Sequence, residues 1–156
     1  MTLSEFLQEK AKDESQRERF RLRDEWVDAS NRLIGQFRLW LQNADTLGVL
    51  EVWEQDVEHL EERAGAYRVP DLYIRLGGTD VKVRPVSSSA VGTIREGDGV
   101  GNRLRGRVDI TDGGRRYILY RTVQEGEERW YALDEKYHST LLDEARFEAI
   151  MQELLS

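Results

Sequence analysis

The sequence predicts an α+β protein: an N-terminal helical hairpin, an antiparallel five- to six-stranded meander sheet, and a C-terminal helix packed on one sheet face. Two observations predict this class. Apolar residues recur at three- and four-residue steps near both ends of the chain, whereas they alternate with polar residues between Pro70 and Leu133. Helices grouped before and after short, closely spaced strands are typical of α+β proteins, because parallel strand pairs need long crossovers.

The first helix is predicted from about Glu14 to Gln42. Its apolar residues lie on one stripe of period 3.6, and the segment lacks proline. The stripe consists of Phe20, Trp26, Val27, Leu33, Ile34, Phe37, Trp40 and Leu41. Upstream, residues 1–15 are expected to form an arm that is either frayed or continuous with this helix. A helix of about 28 residues extends roughly 42 Å, which is longer than a small sheet needs as cover.

A second helix is predicted from about Leu47 to Arg63. Turn-forming residues separate it from the first helix, and Gly65 suits its C-terminal cap. Its apolar residues have spacings of three, four and three, at Leu50, Trp53, Val57 and Leu60. The short connection predicts that the two helices form an antiparallel hairpin.

The middle of the chain is predicted to be a sheet because its apolar residues alternate. Asp112-Gly113-Gly114, between two alternating runs, favours a hairpin turn. The predicted strands are Leu72–Leu76, Val81–Val86, Ala90–Arg95, Arg103–Ile110, Arg116–Val123 and Arg129–Leu133. A last helix is expected from about Leu142 to Leu155, with Thr140 as its N-terminal cap.

Length and composition favour one folding unit of 156 residues. We divide it into an acidic helical segment 1–66, a basic antiparallel sheet 67–135 and the C-terminal helix 136–156. The absence of cysteine excludes a disulfide scaffold, a zinc–thiolate site and thiol catalysis. No apolar run approaches the roughly 20 residues that span a bilayer, and the N-terminus lacks the apolar core of a secretory signal. These features predict a cytoplasmic protein.

Charge is distributed unevenly along the chain. The first 66 residues carry a net charge of −6, residues 67–123 carry +5, and residues 124–156 carry −6. Strand alternation places Lys82 and Arg84 on the same face of their strand. In the next long strand it places Arg103, Arg105 and Arg107 together on one face, unless a bulge forms at Gly106. Arg116 and Arg121 cannot share a face. The five residues of the first two groups form the candidate binding face, unless the acidic helices cover and neutralise it.

Two other patterns suggest a ligand-binding or metal site. The glycine-rich stretch Glu96–Asn102 resembles a phosphate loop, but a strand follows it where a helix would be needed. Asp56, His59 and Glu62 would share a helix face that could ligate a metal, but a solvated acidic face with a surface histidine is the favoured interpretation. With two histidines and no nucleophile motif, the sequence predicts no catalytic, cofactor-binding or metal-ligating residue.

The sequence therefore predicts a small acidic protein of the non-catalytic, protein-interaction type, such as an adaptor or an immunity-like or chaperone-like protein. Its partner, another protein or a second copy of the chain, would bind the first long helix. The alternative is binding of nucleic acid or another polyanion by the candidate binding face. The predicted core contains Trp26, Phe37, Trp40, Trp53, Phe147 and Ile150.

Overall fold

The computed structural model describes residues 1–94 and 102–156. This part of the chain contains two helices and eight strands. The helices are α1 (Leu3–Ala44) and α2 (Glu144–Leu155). The strands are β1 (Glu51–Glu61), β2 (Gly65–Leu76), β3 (Thr79–Ser87), β4 (Thr93–Ile94), β5 (Asn102–Thr111), β6 (Arg116–Gln124), β7 (Glu127–Leu133) and β8 (Ser139–Leu141).

The strands form an antiparallel sheet in the order β1-β2-β3-β5-β6-β7-β8, and β4 pairs with β5 outside this path. The α+β class is confirmed. The sheet has more strands than the five or six predicted, because β1 and the short β8 extend the meander at its two ends. The first half of β2 pairs only with β1, since its pairing with β3 begins at Leu72. The end of the β1–β2 hairpin therefore projects beyond the rest of the sheet.

Helix α1 is one continuous helix of 42 residues, so the arm predicted at residues 1–15 belongs to it. Thr2 caps its N-terminus: its hydroxyl accepts a hydrogen bond from the Glu5 backbone N–H, and the Glu5 carboxylate accepts one from the Thr2 N–H. The apolar stripe from Trp26 to Leu41 packs on the sheet, mainly against β2. At 1.5 Å per residue α1 is about 63 Å long, and only its C-terminal half covers the sheet.

The core lies between the sheet and the two helices. Alternate strand residues such as Ile74, Val83, Ile110 and Leu119 are fully buried under α1 and α2. Helix α2 joins α1 through stacked aromatic rings, with the Phe37 and Phe147 centroids 4.3 Å apart. Asp143, rather than the predicted Thr140, caps α2 by accepting a hydrogen bond from the Arg146 backbone N–H at 2.8 Å.

The prediction of a second helix from Leu47 to Arg63 is wrong, and with it the helical hairpin. Residues of this segment form β1, which pairs with β2 residue by residue from Glu51–Arg75 to Glu61–Gly65. Leu60, predicted to lie on the apolar stripe, is 84% exposed. Gly65 has a φ of +76° and ends the hairpin turn instead of capping a helix.

The Trp26 ring of α1 packs directly on Gly106 of β5. A Cβ atom added at Gly106 would lie 2.2 Å from Cζ3 of Trp26. Strand β5 carries a bulge here, because Leu104 pairs with Thr122 and Gly106 with Arg121, which leaves Arg105 as the extra residue. A bulge near Gly106 is compatible with the alternation of this strand in the sequence, and the structure contains it with Arg105 as the extra residue.

The predicted core is confirmed for four of its six residues. Trp26, Phe37, Phe147 and Ile150 are each at most 2% exposed. Trp40 is partly buried against the same core. Trp53 does not belong to the core, because it lies on the other side of the sheet and stacks on Tyr73 with ring centroids 5.3 Å apart.

The contact between Trp26 and Gly106 leads to a prediction about stability. The substitution Gly106→Ala should lower the free energy of unfolding by roughly 1–3 kcal/mol, because the methyl group overlaps a buried ring. Gly35→Ala is the matched control, since nothing lies within 4 Å of a Cβ atom at this helical position. It should raise stability by about 0.5–1 kcal/mol. Urea denaturation of both variants measures the difference, and equal stabilities would contradict the close approach.

Candidate functional site

Three of the five predicted binding-face residues lie together on the side of the sheet away from the helices, here called the outer face. Lys82 and Arg84 alternate along β3 with the buried residues Val81 and Val83. Arg107 alternates in the same way with Val108 on β5. Asp109 lies opposite Arg84 in the strand register and also belongs to this face.

Carboxylates of the same face neutralise most of these cations. The Arg84 guanidinium donates a hydrogen bond to Asp71, whose side chain is only 1% exposed. Arg107 donates two hydrogen bonds to Asp109, at 2.8 and 3.0 Å. Lys82 lies 5.1 Å from the centroid of the Tyr73 ring. The neutralising charges thus come from the strands of the sheet itself rather than from the acidic helices, and the outer face offers little unpaired positive charge to a polyanion.

The other two predicted residues, Arg103 and Arg105, do not share a face with Arg107. The bulge at Arg105 reverses the alternation, and Arg105 lies 3.7 Å from Glu25 of α1. Arg103 and Arg105 instead line a cleft between α1, the β1–β2 turn and β5. Sequence reasoning missed this cleft, because its residues come from distant segments and one of them depends on the bulge.

The cleft has a volume of about 250 Å³, and we call it the arginine cleft. Five arginines line it: Arg21, Arg63, Arg103, Arg105 and Arg121. The carboxylates of Glu18 and Glu25 also line it, and Trp26 forms part of its wall. Trp26 is 2% exposed, and its Nε1–H has no hydrogen-bond acceptor among the described residues.

The base of the arginine cleft is an ionic network around Arg121. This side chain is only 7% exposed, and it lies on the helix side of the sheet, whereas Arg116 lies on the outer face beside Asp109. Its Nε donates to Glu128 at 2.6 Å and its Nη1 to Glu25 at 3.1 Å. Burial alone would raise the pKa of Glu128, but hydrogen bonds from Arg121 and Arg32 outweigh burial and lower it.

Arg63 and Arg103 differ from the other arginines of the cleft. Arg21, Arg105 and Arg121 each form an ion pair with a glutamate. Among the described residues, neither Arg63 nor Arg103 has a carboxylate within 4 Å, although Arg63 is close enough to Glu18 to help to lower the pKa of that carboxyl. The arginine cleft therefore presents two guanidinium groups without a direct counter-ion.

A second exposed feature is the N-terminal half of α1. We call its residues 3–20 the helical arm. Every residue of the arm is exposed. Four of them are large and apolar, with exposures of 72%, 45%, 55% and 44% for Leu3, Phe6, Leu7 and Phe20. In proteins most of the stability of a helix comes from packing of its apolar face, and the residues of the arm are exposed instead.

The acidic cluster around His59 has a different geometry from the one that a helix would give. His59 and Asp56 lie three residues apart on β1, and residues at odd spacing point to opposite faces of a strand. The His59 ring stacks on Tyr67, with centroids 5.1 Å apart. In residues 1–94 and 102–156, no group of three or more acidic or histidine side chains could hold a metal ion. The glycine-rich stretch at residues 96–101 lies outside the described residues.

No family model, no curated protein and no solved structure matches this chain. None of the helices in the described ranges is both long enough and apolar enough to span a membrane. Function is therefore inferred from the arginine cleft, the outer face and the helical arm themselves.

The network around Arg121 leads to a second prediction. Arg121→Gln should lower the free energy of unfolding by roughly 3 kcal/mol at pH 7, because it leaves the half-buried Glu128 with fewer partners. Arg68→Gln is the control. Arg68 is exposed and lies 3.7 Å from Glu58, so its loss should change stability by less than about 1 kcal/mol.

The effect of Arg121→Gln should also depend on pH. Since the pKa of folded Glu128 lies below its ordinary value of 4.5, its charged form stabilises the fold above that value. This stabilisation disappears as the pH falls through the folded pKa. Urea denaturation between pH 7 and pH 3 should show the two proteins converging in stability at acid pH. A difference that stays constant would contradict the role of the ionised carboxylate.

Proposed function

We propose that this is a non-catalytic interaction protein that associates with a second copy of itself through the helical arm. The observation that carries the proposal is the arm itself: 18 exposed helical residues with an apolar face that the described part of the chain leaves uncovered. Two histidines and no cysteine leave few groups for catalysis, which supports a binding role. A chain without cysteine fits a reducing compartment, and we propose the cytoplasm.

The apolar face of the arm points away from the sheet. Successive residues of a helix are 100° apart, so the directions of Leu3, Phe6 and Phe20 differ by roughly 100–160° from that of the buried stripe. A partner helix can therefore lie along the arm without meeting the sheet.

The sequence of the arm favours an antiparallel partner of the same sequence. Leu3, Phe6, Lys10, Asp13, Arg17 and Phe20 occupy the a and d positions of one heptad pattern. One antiparallel register places Leu3 opposite Phe20 of the partner subunit. The same register places Phe6 opposite Arg17 of the partner subunit, and Lys10 opposite Asp13 of the partner subunit. Each contact is apolar, cation–π or oppositely charged.

A parallel pair is disfavoured by the same residues. It would place Lys10 against Lys10 of the partner subunit and Asp13 against Asp13 of the partner subunit. Like charges at the centre of a helix pair are destabilising. In the antiparallel pair the two helical arms overlap over about 27 Å, and the two sheets lie at opposite ends of the paired helices.

Charge exchange between Lys10 and Asp13 tests the proposal. Lys10→Asp alone and Asp13→Lys alone each replace two attractive contacts of the dimer with two repulsive ones. Each should raise the dissociation constant about tenfold, because such contacts contribute roughly 0.2–0.5 kcal/mol each. The double variant Lys10→Asp/Asp13→Lys should restore the affinity of the unchanged protein. Sedimentation velocity over a range of concentrations measures all four proteins, and circular dichroism confirms equal helix content.

Mixing the two single variants is the sharper experiment. A heterodimer of Lys10→Asp with Asp13→Lys has opposite charges at both central contacts, so the mixture should associate about tenfold more tightly than either variant alone. A protein that stays monomeric at every concentration, or a mixture as weak as its components, would overturn self-association through the arm. Capture of a different protein by the arm, with no self-association, would do the same.

A further inference from the structure

We propose that the arginine cleft binds the phosphate group of a compact soluble ligand. This site lies apart from the apolar face of the helical arm and is independent of the function proposed above. The argument rests on the charge of the cleft, the rigidity of its base and its size.

The charge of the cleft fits a doubly charged anion. Five arginines line the cleft but only two carboxylates, those of Glu18 and Glu25, while Glu128 binds Arg121 from outside the cleft and is shared with Arg32. Positive charge is therefore in excess among the described residues of the cleft, and Arg63 and Arg103 are the two arginines there without a direct carboxylate. A phosphate monoester at neutral pH carries nearly two negative charges. Guanidinium groups bind phosphate with paired, parallel hydrogen bonds, which makes arginine the side chain best suited to this ligand.

The base of the cleft is already ordered for binding. Glu25 contacts Arg21, Arg105 and Arg121 at 3.5, 3.7 and 3.1 Å, and so holds three guanidinium groups around one carboxylate. Glu128 fixes Arg121 from the other side at 2.6 Å. Groups held in place before binding lose little conformational freedom when the ligand arrives.

The dimensions of the cleft favour a small ligand over a polymer. Its volume of about 250 Å³ lies just below the roughly 300–1,000 Å³ of pockets that hold drug-sized molecules. A nucleic acid would need a continuous basic track, but Arg84 and Arg107 of the outer face are paired with Asp71 and Asp109.

Titration with inorganic pyrophosphate, and separately with inorganic phosphate, tests the site. Calorimetry at low ionic strength should show one binding site per chain, and saturating pyrophosphate should raise the melting temperature. The double substitution Arg63→Gln/Arg103→Gln should weaken binding at least tenfold. Its matched control is Arg38→Gln/Arg68→Gln, which removes two exposed arginines outside the cleft that each lie 3.7 Å from a glutamate. The control has the same net charge and should bind like the unchanged protein.

Three results would overturn the proposal. The first is no binding of pyrophosphate or phosphate by the unchanged protein at low ionic strength. The second is an equal loss of binding in both double variants, which would indicate a diffuse charge effect. The third is binding of a single-stranded oligonucleotide that pyrophosphate does not displace. All of the substituted arginines are exposed, so circular dichroism should show folded proteins throughout. Self-association through the arm is measured separately and does not depend on these results.

Discussion

The contact between Trp26 and Gly106 is the constraint on which the other features depend. A buried indole ring lies directly on a strand position that has no side chain, so α1 approaches the sheet more closely here than any other residue would allow. The same short stretch of β5 contains the bulge at Arg105. Glu25, which directly precedes Trp26 in α1, lies 3.7 Å from Arg105 and 3.1 Å from Arg121 at the same place.

The acidic segments of the sequence contact the basic segment through individual ion pairs, and the acidic helices do not cover the basic sheet as one layer on another. Glu25 and Glu128, from the two acidic segments, contact Arg121 of the basic segment in the ionic network beneath the arginine cleft. Elsewhere the basic strands supply their own counter-charges, as Asp71 and Asp109 do for Arg84 and Arg107. Net charge by segment therefore describes the chain well and describes the surface poorly, because it ignores which residues face each other.

The class of the fold, helix α1 and most strands follow from residue periodicity, while β1 shows where periodicity fails. A spacing of four, as between Trp53 and Val57, puts two residues on one face of a helix and equally on one face of a strand. Pairing with β2 over eleven residues makes this segment a strand rather than a helix, and no local sequence pattern encodes that contact. The arginine cleft was unpredictable for the same reason. Glu25 and Arg105 lie 80 positions apart, and a one-residue bulge determines that they meet.

Strand β1 lies at the edge of the sheet, where its acidic residues affect whether another chain can pair with it. Its outer backbone groups face no other described strand, which makes it a template for uncontrolled pairing with other chains. Five of its eleven residues are acidic and none is lysine or arginine, namely Glu51, Glu54, Asp56, Glu58 and Glu61. Three of these carboxylates lie within 4 Å of an arginine, so the edge carries charged side chains of both signs, which would have to lose water if two such strands paired. The opposite end of the sheet, β8, is only three residues long and presents few backbone groups for pairing. Charged side chains at one border and a very short strand at the other thus disfavour pairing of the sheet with other chains.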